Sequence, residues 1–401
     1  MVQDTINVGI GLSTNKDPVV AAKEALQQAR IRLHQEHINL AIVFSTVDLA
    51  CAILLKTIGL SLSGVPIIGC SAAAIISHQG IFKHGLVIML LSLPDEVYFN
   101  TACVKEIKTK TSLTAGRVLA DKLLYGFHQV KRNISIIFSD GLMEEGSNLI
   151  QGLQERLGIS FPLVGASASD NLTFRKTYLY FNQEIFNDAA CGILFGGKLN
   201  FGLGIKHGWK PLGKPRYVTR SSGNIVHEID NAPAIKVYEE YLACNLSELR
   251  KKLKRVSILY PIGIYLSGEE EYLLRNLLSV EDDGSLIFQG NVPCESLIRL
   301  MIGTKESCLA ATQAALDDAK RGLMARQTKF VFVFDSISRY ILLGRNAYKE
   351  LEIIKAGLGK DTPIIGIYTY GEQAPLKSIN YQGRAYFHNQ TVNILGVGGF
   401  N

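Results

Sequence analysis

An α/β protein of layered mixed sheets with covering helices, built from repeated strand–helix–strand units in two domains, is predicted by three features of the 401-residue chain. Three segments read as buried strands of β-branched and aromatic residues: LAIVFST (Leu40 to Thr46), ISIIFSDG (Ile134 to Gly141) and FVFVFDSIS (Phe330 to Ser338). Each is followed by an apolar-periodic stretch of helical length and then by proline, two aliphatics and glycine, at Pro66, Pro162 and Pro363. A later apolar strand closes each unit, GLVIMLL, CGILFGG and TVNILGVGG. Recurrence of this kind marks a repeat. Continuous apolar strands call for sheets covered on both faces. The helix-linked strands should pair in parallel through right-handed crossovers, with the closing strand antiparallel.

The rest of the chain follows in order. Lys206 to Asn224 is rich in Gly and Pro with little periodicity, and the domain boundary is placed there, giving domains 1–212 and 213–401. Glu228 to Pro233 reads as a turn into the helix AIKVYEEYL, with Pro233 at a tolerated early helical position. The basic run Arg250 to Arg255 reads as the end of a helix, where cations suit the dipole. LLSVEDDGSLIFQG is a hairpin with Asp283-Gly284 as a type I′ turn. Glu306 to Leu323 is an amphipathic helix leading to the third repeat strand.

Composition excludes several classes. A net charge of +6 with 19% charged residues argues against long disorder and against a nucleic-acid binder, whose basic excess would be larger and striped. The apolar stretches are far short of the ~20 residues a bilayer requires. The N-terminus lacks a basic start and carries Asp4 before any apolar run, unlike a signal peptide. Seven scattered cysteines without a C-x-x-C pair suit a reducing compartment, so a cytoplasmic protein is expected.

Five segments carry a family resemblance: GCSAAAII (Gly69 to Ile76), GASASDN (Gly165 to Asn171), HGWKPLG (His207 to Gly213), EIDNAPAIKVYEEYL (Glu228 to Leu242), and ISRYILLGR with GIYTYGEQAP (Ile337 to Pro375). In this order and spacing they resemble the FIST family, a sensory module of signal-transduction proteins, over nearly the whole chain. The resemblance implies a bound small ligand, such as an amino acid, and a separate partner, a histidine kinase or other signalling protein. Stand-alone members resemble nitric-oxide-sensing FIST haemoproteins, which implies haem as cofactor. Homodimerisation is left open.

Candidate site residues lie on these motifs. Gly69, Cys70 and Ser71, and Gly165 and Ser167, read as small-residue loops whose backbone N–H groups would donate to a carboxylate, a phosphate or haem propionates. The alternative is close packing beneath a crossover. Asp170, Asn171, Arg339, Tyr370 and Glu372 are the polar members. Glu372 would hold a ligand amine or pair with Arg339, and Arg339 would otherwise grip a carboxylate in bidentate fashion. His207, next to the only tryptophan, is the first axial candidate for haem, and His388 the second. Cys70 would be a nucleophile only at a helix N-terminus with His84 or His388 as base, and the second repeat has Ala166 there. No phosphate-binding glycine motif follows a strand. The sequence therefore suggests a cytoplasmic sensor rather than an enzyme: a small-ligand sensory protein, most specifically a haem-bound nitric oxide sensor. The alternatives are a non-haem binding module for an amino acid or carboxylate, and a protein-interaction scaffold.

Overall fold

A computed structural model describes residues 5–143, 145–269, 271–324, 326–376 and 383–399. The first unit runs β1 (Asn7–Ser13), α1 (Pro18–Leu33), β2 (Leu40–Thr46), α2 (Ala52–Leu62), β3 (Ile67–Ala72), β4 (Ile75–Ser77), β5 (Gly80–Phe82) and β6 (Leu86–Ser92). The second repeats it: β7 (Val97–Lys105), α3 (Ser112–Leu124), β8 (Arg132–Ser139), α4 (Gly146–Leu157), β9 (Leu163–Ser167), β10 (Leu179–Phe181), β11 (Glu184–Phe186) and β12 (Ala189–Gly197). The third opens with β13 (Asn200–Lys206) and is then interrupted.

The interruption is an α+β unit of β14 (Lys210–Ser222), β15 (Ile225–Ile229), β16 (Ala232–Pro233), α5 (Lys236–Leu242), α6 (Leu246–Lys251), α7 (Leu253–Leu259), β17 (Ile262–Ile264), β18 (Leu273–Arg275), β19 (Leu277–Val280), β20 (Leu286–Phe288) and β21 (Leu297–Ile302). The third unit then resumes with α8 (Lys305–Leu323), β22 (Thr328–Ser336), α9 (Ile337–Leu343), α10 (Tyr348–Leu358), β23 (Ile364–Thr369), β24 (Gly371–Pro375), β25 (Ala385–His388) and β26 (Val392–Gly398).

Pairing follows the sequence expectation. The helix-linked strands β2–β3, β8–β9 and β22–β23 are parallel, and the closing strands β6, β12 and β26 run antiparallel to β2, β8 and β22. The helices are defined at their ends by side-chain chemistry. Asp17 accepts the N–H groups of Val19 and Val20 with Pro18 as the first helical residue of α1, and Thr304 and Ser307 form a capping box on α8.

Three six-stranded sheets close into a ring by exchanging hairpins. Hairpin β4–β5 leaves the first unit and pairs with β23 of the third. Hairpin β10–β11 leaves the second and pairs with β3 of the first. Hairpin β24–β25 leaves the third and pairs with β9 of the second. The inner sheet faces share one core, in which Phe44, Phe138 and Phe334 take equivalent positions and stack edge to face at 5.4 and 5.9 Å. The inserted unit has its own core, including Val218, Tyr238, Leu286 and Phe288.

Several local expectations are corrected. Lys206 to Asn224 is not an irregular linker but carries the long strand β14, so position 212 falls inside a strand. Its Gly213 and Pro215 lie where the register to β21 shifts between Leu212 and Arg216, and a bulge tolerates both residue types. The β19–β20 hairpin forms, but of its Asp-Gly pair only Gly284 (φ +82°) is left-handed, so the turn is not type I′. Asp283 instead accepts the Ser285 N–H at 2.9 Å. Pro233 sits in the short strand β16 rather than in the helix. The basic run ends α6 and also begins α7.

Candidate functional site

Between the ring and the inserted unit lies a cleft of about 530 Å³. One wall is the loop between β9 and β10. Its organiser is Asp170, whose carboxylate accepts the backbone N–H groups of Thr173 (2.9 Å), Phe174 (3.1 Å), Arg175 (2.8 Å) and Lys176 (3.2 Å). It also accepts the Thr173 hydroxyl at 2.7 Å and the Tyr370 hydroxyl. Burial by itself would raise this pKa. The bonds from Tyr370, Arg175, Thr173 and Lys176 outweigh it and hold the carboxyl at about 2. The loop wraps so tightly that Leu172 and Phe174 adopt φ of +67° and +52°. Phe174, 54% exposed, lies flat on the Tyr370 ring with centroids 4.4 Å apart.

The facing wall comes from the inserted unit: Leu253, Lys254 and Ser257 on or near α7, and Asn276, Leu277 and Gln289 around β19 and β20. Gln289 Nε2 donates to the Tyr370 carbonyl at 2.6 Å, and Asn276 Nδ2 to Gln289 Oε1 at 3.3 Å, so the two walls touch at the floor. Ile337, Ser338 and Ile341 on α9 complete the site. The lining is mostly apolar with a few convergent amides and hydroxyls, the usual make-up of a small-molecule pocket. A larger cleft, about 760 Å³, opens at the N-terminal end of β22. It is rimmed by Lys320, Arg321, Lys329 and Lys360, and none of the candidate site residues lines it.

Of the residues singled out from sequence, Tyr370 lines the cleft, Asp170 bonds to it, and exposed Asn171 adjoins Asp170. Ser71 supports them from below: its hydroxyl donates to the Ser169 carbonyl at 2.9 Å and accepts the Tyr178 N–H at 3.0 Å, pinning both ends of the Asp170 loop. Gly69, Cys70, Ser71, Gly165 and Ser167 are not loop residues. They lie buried inside β3 and β9. A Cβ on Gly69 would sit 1.8 Å from the Val43 carbonyl oxygen, and one on Gly165 2.0 Å from that of Ile137, so these glycines permit close strand approach. Ser167 Oγ is 3.0 Å from Ser139 Oγ. Cys70 is in a strand rather than at a helix N-terminus, and burial pushes its thiol pKa far up, opposite to what a nucleophile needs.

Arg339 does not pair with Glu372. It is fully buried and ion-paired to Asp335 (2.9 Å) and Glu350, and it donates to the carbonyls of His207 (2.6 Å) and Cys308 (3.0 Å) and to Thr312 Oγ1 (2.8 Å). Its donors are spent on structure. Glu372 is fully buried in β24 and accepts the hydroxyls of Thr369 (2.5 Å) and Thr391 (2.9 Å) and the Thr391 N–H (3.1 Å). Burial raises its pKa, with these bonds opposing, to about 7.

Neither histidine fits a haem iron. His207 is buried, with Nδ1 accepting the Trp209 N–H at 2.9 Å and Nε2 3.0 Å from Glu271 Oε2. His388 is buried, with Nε2 2.9 Å from the Ala374 carbonyl, and burial lowers its pKa to about 3. Neither lines the interdomain cleft. Among the described residues no cluster of three His, Cys, Asp or Glu side chains could hold a metal ion, and no helix is long and apolar enough to cross a membrane. The facing wall, with Ser257, Asn276 and Gln289, was missed by sequence reading. Its only sequence signal was the basic run that contains Lys254.

Residues 39–232 match the FIST N domain and residues 234–375 the FIST C domain. An uncharacterised protein of Methanocaldococcus jannaschii is 24% identical over 303 residues, 71% of this chain and 57% of that one. An uncharacterised protein of Mycobacterium tuberculosis is 23% identical over 295 residues, covering 72% of this chain and 74% of that one. Among solved structures, a cyanuric acid hydrolase from A. caulinodans covers 98% of this chain and 99% of its own, at TM-score 0.41 and 8% identity. A second cyanuric acid hydrolase structure covers 99% and 100%, at TM-score 0.38 and 7% identity. The exclusion of catalysis made from sequence is withdrawn, because these structural neighbours are enzymes. At that similarity they assign no reaction to this chain.

Proposed function

The chain belongs to the FIST family, whose domains are signal-transduction sensory domains, and from that premise we propose that its ligand binds in the cleft between ring and inserted unit. Occupancy is relayed to a separate signalling partner, for which a histidine kinase is the proposed class. One observation carries this reading: the cleft walls come from two parts of the chain, Phe174, Ile337 and Tyr370 from the ring and Ser257, Asn276 and Gln289 from the insert, each part with a main hydrophobic core of its own and the two joined by the smaller cluster of Leu274, Met301, Cys308 and Leu343. A ligand touching both walls binds the closed and open arrangements unequally, which is what a relay requires.

A thermal-shift screen of small metabolites tests the proposal. A hit should raise the melting temperature by mass action, and Phe174→Ala and Asn276→Ala should each abolish the shift while the protein remains folded. A hit that survives both substitutions places the ligand elsewhere. The narrower version, a haem-bound nitric oxide sensor, is decided by an absorption spectrum after haemin addition. A saturable Soret band that moves with nitric oxide, unchanged in His207→Ala and His388→Ala, would establish haem with another axial residue. Absence of the band removes the haem version and leaves the cleft.

A further inference from the structure

We infer that the ligand of this cleft is an amphipathic anion: an apolar body held between Phe174, Leu277, Ile337 and Ile341, with its anionic head among Lys251, Lys252, Lys254 and Arg255. The inference rests on the cleft being the ligand site and specifies what the cleft takes. A second cleft of about 460 Å³ adjoins the first and shares Lys254, Ile258 and Ile341 with it. Its rim is the four cations of α6 and α7 and the turn between them, and its floor is Ile258, Leu259, Ile341 and Leu342. The two clefts form one apolar trough with a cationic end.

Charge balance selects the ligand. No Asp or Glu lines either cleft among the described residues. Asp170 lies in the loop that forms one wall, but its two oxygens already accept six donors. Glu372 is enclosed by its threonines. A free amino acid or a polyamine would therefore bury an ammonium without a counter-charge, which is costly. A single anionic group meets the opposite situation. Four cations crowd within five residues, and none has an ion-pair partner among the described residues, whereas the adjacent Arg250 is paired with Asp282. A carboxylate or phosphate monoester relieves that repulsion with charge-assisted hydrogen bonds. An ion without a body would leave the apolar trough unused, so head and tail are both required.

The test is calorimetric titration of the whole chain with decanoate below its micelle concentration, beside decanol and acetate. Decanoate should bind about tenfold or more tighter than either. Added salt should weaken decanoate and leave decanol alone. The double variant K251Q/K254Q should bring decanoate down to the level of decanol with an unchanged melting temperature. Equal binding of decanol and decanoate, or of acetate and decanoate, overturns the inference. So does flotation of the protein with phosphatidylglycerol vesicles in the absence of decanoate binding, which would make the basic rim a membrane contact. Failure here is separable from failure of the cleft itself. A neutral or zwitterionic metabolite whose binding is lost in Phe174→Ala would sink the amphipathic anion and keep the cleft, whereas a screen in which no compound depends on Phe174 would sink both.

Discussion

Asp170 holds four consecutive backbone N–H groups, a threonine hydroxyl and the Tyr370 hydroxyl, so one carboxylate shapes a loop, sets an aromatic plate and ties the second unit to the third. Asp170→Asn places an NH₂ where at least one oxygen accepted donors. Chemical denaturation should show a loss of about 2 kcal/mol at neutral pH. Because the folded carboxyl is held at about 2, below its ordinary 3.8, this stabilisation is complete above pH 3.8 and disappears as pH falls toward 2. Wild type and variant should therefore converge in acid. Glu372 has the opposite sign. Its folded pKa is raised from 4.5 to about 7, so ionising it penalises the folded state, and stability should fall by about 3 kcal/mol as pH rises across that window. Glu372→Gln should flatten the curve between pH 4.5 and 7 and be the more stable protein above it. Parallel curves would show that some other group titrates there.

At the scale of elements, the first strands of the first and third units read N-x-G-x-G, and the alternation is a packing code. A Cβ on Gly11 would lie 1.8 Å from the Ala25 carbonyl oxygen of α1, and one on Gly204 1.7 Å from that of Ala315 in α8. Gly204→Ala should cost about 3 kcal/mol by urea denaturation, because a backbone carbonyl cannot swing aside. Gly126→Ala, at φ +84° with open space around it, should cost only about 1 kcal/mol. The sequence made the three central strands, their helices and their closing strands legible, because each is a long run of one period. These glycine-rich first strands were not legible, since alternate residues carry no apolar signal. Nor was β14, whose prolines and glycine imitate a linker. The site divided in the same way. Asp170 and Tyr370 stood out on small, polar turns, whereas Asn276 and Gln289 become wall residues only through docking of the insert, and no local pattern records docking.

The whole molecule is a closed ring with one insertion, and its parts should differ in independence. A fragment of residues 1–206 would leave β9 without β24–β25 and β4–β5 without β23, exposing unpaired strand edges. It should aggregate or melt without a cooperative transition. Residues 210–303 have a core of their own and should show a cooperative melt by circular dichroism. Cooperative, monomeric behaviour of the 1–206 fragment would mean that the exchanged hairpins are decoration rather than closure.

The exchange also sets a schedule for synthesis. Ile75 must find Ile367, about 290 residues later, before the first unit's hairpin has a sheet to join. Until then a nascent chain carries a finished β4–β5 hairpin with an open edge, through the emergence of the second unit and of the entire insert. That edge stays open to other chains until β23 emerges, so slowing translation just ahead of β23 should lower the yield of native protein more than slowing it after β26.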